Sequence, residues 1–372
     1  MTIDNLLIMH TKQIYINGLG NVSPQNTTNP EDFLDEPLSF ETNRLKCIDP
    51  GYKEFIPSDM LRRMGRIIKM GVAASKICLR NAGQTLPDGT FIAPEAIITG
   101  TGMGCLEDTG KFLTSMINNK EELLTPTSFI QSTHNTVAGQ IALLIKCHGY
   151  NFTYVHRSFS FESALMDAII QIRTGEVSNV LAGASDEITS HSFAIMERMG
   201  HWKQKPFHSL NLLKDTQRGT IAGEGASFFF LENQKKQHTY AELKGITTLL
   251  TPASVAETGQ KCKQFLAKHQ LTMQDIDLVV PGFNGDIRFD TVYNEFIADC
   301  FPATPLACFK HLCGEYHTAT AFALWMASLV IEKQRVPAVA LYRNEPSLPI
   351  NNILIYNHYR NIEHAFILVS KA

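Results

Sequence analysis

The sequence predicts an α/β fold whose sheet is largely parallel and covered by helices on both faces. Two observations predict it. Strand-like apolar runs alternate with helical patterns along nearly the whole chain, and such alternation builds βαβ units. The 372 residues are 44% hydrophobic and 19% charged, enough apolar material for one large core or two fused ones.

Taken in order, Ile14-Tyr15-Ile16-Asn17-Gly18 reads as the first strand, about Leu61 to Asn81 as a long helix, and Ala96-Ile97-Ile98-Thr99-Gly100 as the next strand. The stretch from Asn21 to Glu41, rich in Asn, Pro and Asp, is expected to be an exposed loop with short helical turns. Asn179 to Gly183 and Gly225 to Leu231 supply two more strands, which close a first half near residue 234. The polar junction Asn233-Gln234-Lys235-Lys236-Gln237 reads as a linker between packed halves, dividing the chain into residues 1–234 and 235–372. A second strand–helix series starts at Tyr240. The halves share no visible sequence repeat.

A net charge of −3 without a long basic run argues against nucleic acid or an anionic membrane as partner, and for a small molecule or a protein. The eight cysteines are scattered (47, 78, 105, 147, 262, 300, 308 and 313), with no CxxC and no Cys/His spacing for zinc. No metal or other cofactor is therefore expected, and reduced thiols suit a cytoplasmic protein. The run Asn5-Leu6-Leu7-Ile8-Met9 is too short for a signal-peptide core, and no apolar run reaches the ~18 residues of a membrane span. The chain is expected to be soluble, unexported and not inserted in a membrane.

The stretch Gly149-Tyr150-Asn151-Phe152-Thr153-Tyr154-Val155-His156-Arg157-Ser158-Phe159-Ser160 resembles the nucleophile elbow of β-ketoacyl-ACP synthases. There a G-P-N-x-T-V strand runs into a helix opened by the catalytic cysteine; Ser158 stands at that cysteine. Further segments resemble the family in the same order. They are Gly100-Thr101-Gly102-Met103-Gly104, Pro126 to Gly139, Asn179 to Gly183, and Arg218-Gly219-Thr220-Ile221-Ala222-Gly223-Glu224-Gly225-Ala226. The family's two histidines, in D-Y-V-N-A-H-G-T and K-x-x-x-G-H, match Gly282 and Glu315, while its lysine is retained as Lys310. Its glycine-rich C-terminal turn matches Asn357-His358-Tyr359-Arg360-Asn361-Ile362-Glu363, which has no glycine. The resemblance implies a thiolase-like, five-layered αβαβα fold made of two similar halves.

Condensation needs an ionisable nucleophile and paired donors for a developing enolate. Ser158 is a far weaker acid than a thiol and would need an adjacent base, Gly282 offers no side chain, and an ionised Glu315 would repel an enolate. Ser158 also reads simply as a small residue in a tight elbow, and Glu315 as the partner of Lys310 in a buried ion pair. The near misses Asn284 and His317 lie two residues past Gly282 and Glu315.

The resemblance therefore points to the inactive, chain-length-factor-like (KSβ) subunits of type II polyketide and aryl-polyene systems. Such a subunit pairs with an active ketosynthase, or with itself, and meets acyl carrier protein only indirectly. It walls an acyl chain's tunnel. The expected interface is the strand from Asn151 to His156 with the helix from about Thr133 to His148, and Gln131, His134 and Asn135 are expected near the tunnel. The alternative is a serine-dependent acyltransferase or thioesterase using Ser158 with Glu315, His134 or His317 as base. A third is a homodimeric scaffold without an acyl ligand. On the sequence alone, Ser158→Cys is expected to take an acyl group slowly and to support no condensation.

Overall fold

The computed structural model describes residues 12–122, 124 and 126–372. Its centre is one eleven-stranded sheet. In chain order the strands are β1 (Tyr15–Val22), β2 (Ala96–Gly100), β3 (Tyr150–Tyr154), β4 (Asn179–Asp186), β5 (Gly225–Glu232), β6 (Ala241–Leu250), β7 (Leu278–Pro281), β8 (Leu306–Ala307), β9 (Leu341–Arg343), β10 (Asn352–Tyr359) and β11 (Glu363–Ser370). Across the sheet the order is β9-β8-β7-β10-β11-β6-β1-β5-β4-β2-β3.

That order contains one pattern twice. In the first half β3, β2 and β4 are parallel and β5 and β1 antiparallel; in the second, β8, β7 and β10 are parallel and β11 and β6 antiparallel. The halves join where β1 meets β6 through Tyr15–Glu242 and Ile16–Ala241. In each copy the inner parallel strands, β2 and β4 or β7 and β10, are buried on two faces, which demands helices on both sides.

The helices needed here are α1 (Arg66–Asn81), α2 (Leu106–Asn118), α3 (Pro126–Ser132), α4 (Thr136–Ile145), α5 (Ser160–Thr174), α6 (Ser190–Arg198), α7 (Val255–Lys268), α8 (Ile287–Cys300) and α9 (Thr320–Lys333). Helix α9 is apolar all round and buried from Thr320 to Ile331, as a helix packed between the two halves of the sheet must be. It forms the middle layer with α5, while α1 and α4 cover the first half and α7 and α8 the second. The result is the five-layered α/β arrangement of the thiolase-like fold.

The sheet is mixed instead of largely parallel, because six of its ten neighbouring strand pairs run antiparallel: direct reversals such as the β10–β11 hairpin need no crossover helix. A second expectation holds only in part. The stretch from Asn21 to Glu41 has the expected short helical turn, Pro30–Asp32, and exposed residues such as Asn26 and Glu36, but Ser23, Gln25, Thr27 and Phe33 are buried. The Gln25 amide supplies the partners the backbone lacks: it donates to Leu38 O (3.0 Å) and Leu312 O (3.3 Å) and accepts from Leu38 N (2.7 Å). Polar composition suggested exposure, but side chains that mimic a strand neighbour let such a segment be buried.

Candidate functional site

The elbow forms where β3 ends and α5 begins. A 3-10 turn, Arg157–Phe159, joins them. Arg157 has a left-handed φ of 49°, which turns the chain sharply. Ser160 braces it, its hydroxyl accepting from His156 N (2.8 Å) and donating to Arg157 O (2.6 Å). Ser158 is thereby held in the interior, 4% exposed.

Ser158 already has a partner. Its N–H donates to Glu363 Oε2 at 3.1 Å, and its hydroxyl donates to the same oxygen in a very short contact. Glu363 opens β11 and pairs with Tyr359 across a hairpin. The turn between them has Arg360 and Asn361 at φ 57° and 56°, with Ile362 N bonded to Tyr359 O at 3.0 Å. This run adopts left-handed geometry without glycine, and the side chain it carries into the elbow is one to which the sequence reading gave no role.

Glu162 lies one turn along α5 from Ser158 and is 1% exposed. Burial pushes its carboxyl up to about 8, against a hydrogen bond from Thr320, so it keeps its proton at neutral pH. Its Oε2 has no partner among the described residues.

A second polar cluster closes the other side. Lys310 Nζ lies 2.8 and 3.1 Å from the two carboxylate oxygens of Glu315, and both residues are buried. Asn284 Nδ2 donates to Glu315 Oε2 at 2.7 Å. Asn284 is itself fixed through its N–H to Asp290 Oδ1 (2.9 Å) and its carbonyl to Thr220 Oγ1 (2.6 Å). Every strong donor and acceptor here is answered, which is the condition for a buried ion pair.

Gly282 does not reach this cluster with a side chain and has no space for one. A Cβ there would stand 2.1 Å from Asn357 Oδ1 and 2.5 Å from the Tyr293 hydroxyl. Asn357 is locked in that space by Tyr293 (3.1 Å) and Thr320 (2.8 Å). The residue that meets Glu315 is Asn284, two positions on.

Met196, Trp202, Glu315 and Tyr359 line both of two small adjoining cavities, of about 60 and 20 Å³. One continues to Phe193 and His317, the other to Asn284 and Arg360; Ser158 and Gly282 line neither. These volumes fall far below the ~300–1,000 Å³ of ordinary ligand pockets. His317 stacks near Tyr359 (4.9 Å). His134 and Asn135, between α3 and α4, are exposed, as is His156, whereas Gln131 is buried. His134 packs against Gly104. These interface candidates thus lie on α3, between α3 and α4, and just past the end of β3.

Among the described residues no group of three or more His, Cys, Asp or Glu is placed to hold a metal, and no helix is long and apolar enough to cross a membrane. All eight cysteines are free thiols.

Comparison with known proteins agrees with the fold. Among curated sequences the chain is 25% identical over 240 residues to Nodulation protein E of Rhizobium meliloti (strain 1021), covering 61% of this chain and 56% of that protein. A second, from Rhizobium sp. (strain N33), is 22% identical over 307 residues, covering 77% and 75%. The chain thus spans about half the length of the first of these relatives. Among solved structures it superposes on the ishigamide ketosynthase/chain length factor with a TM-score of 0.78 at 17% identity, over 97% of this chain and 99% of that one. A β-ketoacyl synthase from Burkholderia phymatum STM815 gives 0.78 at 18% identity, over 97% and 100%. Residues 35–237 match the family model described as the N-terminal domain of β-ketoacyl synthases. With more than half of its length inside that match, the chain belongs to the β-ketoacyl synthase family.

Proposed function

We propose that this chain is a non-catalytic β-ketoacyl synthase homologue, chain-length-factor-like, that dimerises with an active ketosynthase and shapes its acyl tunnel in polyketide-type or fatty-acid-type synthesis. The observation that carries the reading is Ser158, whose hydroxyl and amide both end on the Glu363 carboxylate. An attacking group would need a base that takes its proton and an amide free for the acyl oxygen. Gly282, plugged by Asn357, and Glu315, tied to Lys310 and Asn284, supply no enolate donors. The small cavities support a tunnel completed by a second protomer, and one structural neighbour is the ishigamide ketosynthase/chain length factor.

The pairing surface we assign is the β3 edge, where Tyr150 and Phe152 are 39% and 45% exposed, together with the exposed apolar Phe129, Ile130 and Leu143 of α3 and α4. An unpaired, apolar edge strand invites another chain. Coexpressed with an active ketosynthase of the same pathway, the protein should copurify one to one, and substitutions at His134 should change product chain length more than rate. A monomer in sedimentation, alone and with every candidate ketosynthase, would refute the proposal. The serine-dependent acyltransferase or thioesterase remains the second reading, because the contact to Glu363 gives Ser158 a carboxylate partner. A fluorophosphonate adduct on Ser158 would favour it.

A further inference from the structure

We infer that the elbow is a seat for an acyl oxygen held shut by the chain's own Glu363, and that this carboxylate, as much as the missing thiol, keeps acyl thioesters off Ser158. The inference concerns this chain's elbow and does not depend on a partner subunit. A carbonyl reacting here would place its oxygen on backbone N–H groups at the start of α5, where the helix favours negative charge. The Ser158 N–H points at such an acceptor, and Glu363 Oε2 is already there at 3.1 Å.

A second observation bears on the same seat. Glu162, four residues along α5, is buried and has an oxygen without a partner among the described residues, and Glu363 is one of the charges acting on it. Two carboxyl groups, one buried and one half-buried, thus act on each other at the elbow. Glu363 takes the donors of the elbow, and Glu162 is left with an unanswered oxygen. Removing Glu363 vacates an acceptor site of the right chemistry for a thioester carbonyl or a short carboxylate. Those two ligands share the acceptor oxygen and differ in whether they can be transferred.

Glu363 also gives a physical cause for an expectation drawn from sequence alone. A thiol placed at Ser158 would touch a carboxylate, which opposes thiolate formation and fills the path of the acyl group. Acyl transfer there would break the donor's C–S bond and form a new one to the introduced thiol, whose proton leaves with the released thiol. Ser158→Cys alone should therefore be held back already at this first step and acylate only slowly.

The test incubates variants with the hexanoyl thioester of N-acetylcysteamine and follows acylation by intact mass, with thermal melting to confirm folding. Ser158→Cys should label slowly, Ser158→Cys/Glu363→Gln faster by ~10-fold, as for one unit of thiol ionisation, and Ser158→Cys/Glu363→Ala fastest. Free hexanoate should raise the melting temperature of Glu363→Ala and not that of the native protein, which separates carboxylate binding from acyl transfer. Equal labelling of Ser158→Cys and the folded double variants, or no labelling of any, would overturn the inference. If neither double variant folds, Ser158→Cys/Glu363→Asp, which draws the carboxylate back by one methylene, carries the same test: labelling no faster than Ser158→Cys overturns it.

Discussion

The two sides of the site treat buried carboxyl groups in opposite ways. Glu315 is matched by a cation and an amide, Lys310 and Asn284. Around Ser158 there is no such match: Glu363 draws on an amide and a hydroxyl, and Glu162 keeps its proton with one oxygen unanswered. A buried charge needs a partner of opposite sign, or it is given up. The Lys310 side is therefore electrostatically matched, while the Ser158 side keeps an imbalance that a ligand or a substitution can act on.

Breaking the matched side should have the largest effect. Glu315→Ala leaves Lys310 buried without its counter-charge and should cost ~3–5 kcal/mol in urea unfolding. Lys310→Met/Glu315→Leu should recover most of it, since an apolar pair of similar size is often neutral. A loss below ~1 kcal/mol for Glu315→Ala would place this pair with weak surface bridges and sink the contrast.

Gly282→Ala probes the plug between the two sides. The new methyl would press on Asn357 and Tyr293, and overpacking of this kind costs ~1–3 kcal/mol. Gly282→Ala/Asn357→Gly should relieve it. If Gly282→Ala melts like the native protein, Asn357 is not fixed where the structure places it.

The unmatched side should show itself through pH. Glu162 titrates near 8 in the folded protein and at ~4.3 in the unfolded chain. Between those values the unfolded state has released a proton that the folded state keeps, so this group's contribution to stability falls as pH rises. Glu162→Gln should abolish that slope and gain at least ~1 kcal/mol on the native protein between pH 5 and 8. On the acid side the buried His358 and His364, stacked on Tyr293 and Tyr356 respectively, act in the opposite sense. Burial lowers both, His364 to about 4, so their contribution is present above the unfolded ~6.5 and lost as pH falls toward 4. An unchanged slope in Glu162→Gln would remove Glu162 from the comparison.

Much of the fold was legible because strand and helix periods are local. Ala96–Gly100 was read with its observed ends, and the Leu61–Asn81 helix differs only by the turn ahead of Arg66. The elbow was legible because a strand, a tight turn and a helix follow one another without a break. Two things were not. Part of the Asn21–Glu41 segment is buried with a glutamine amide that satisfies backbone groups, and composition says nothing of such pairing. Glu363 lies 205 residues from Ser158, and only the hairpin register brings them together, a long-range relation that no local pattern encodes.

That register gives the short turn at Arg360–Ile362 an unexpected leverage. Because side chains alternate along a strand, deleting one residue from the turn would move β11 by one step and carry every side chain after it to the opposite face. Glu363 would swing away from the elbow together with the core residues Phe366 and Leu368, which no single point substitution could offset. The length of the turn is therefore bound to both the packing of a whole strand and the closure of the elbow. A lineage reopening this site would change the residue at 363 and leave the length of its turn alone.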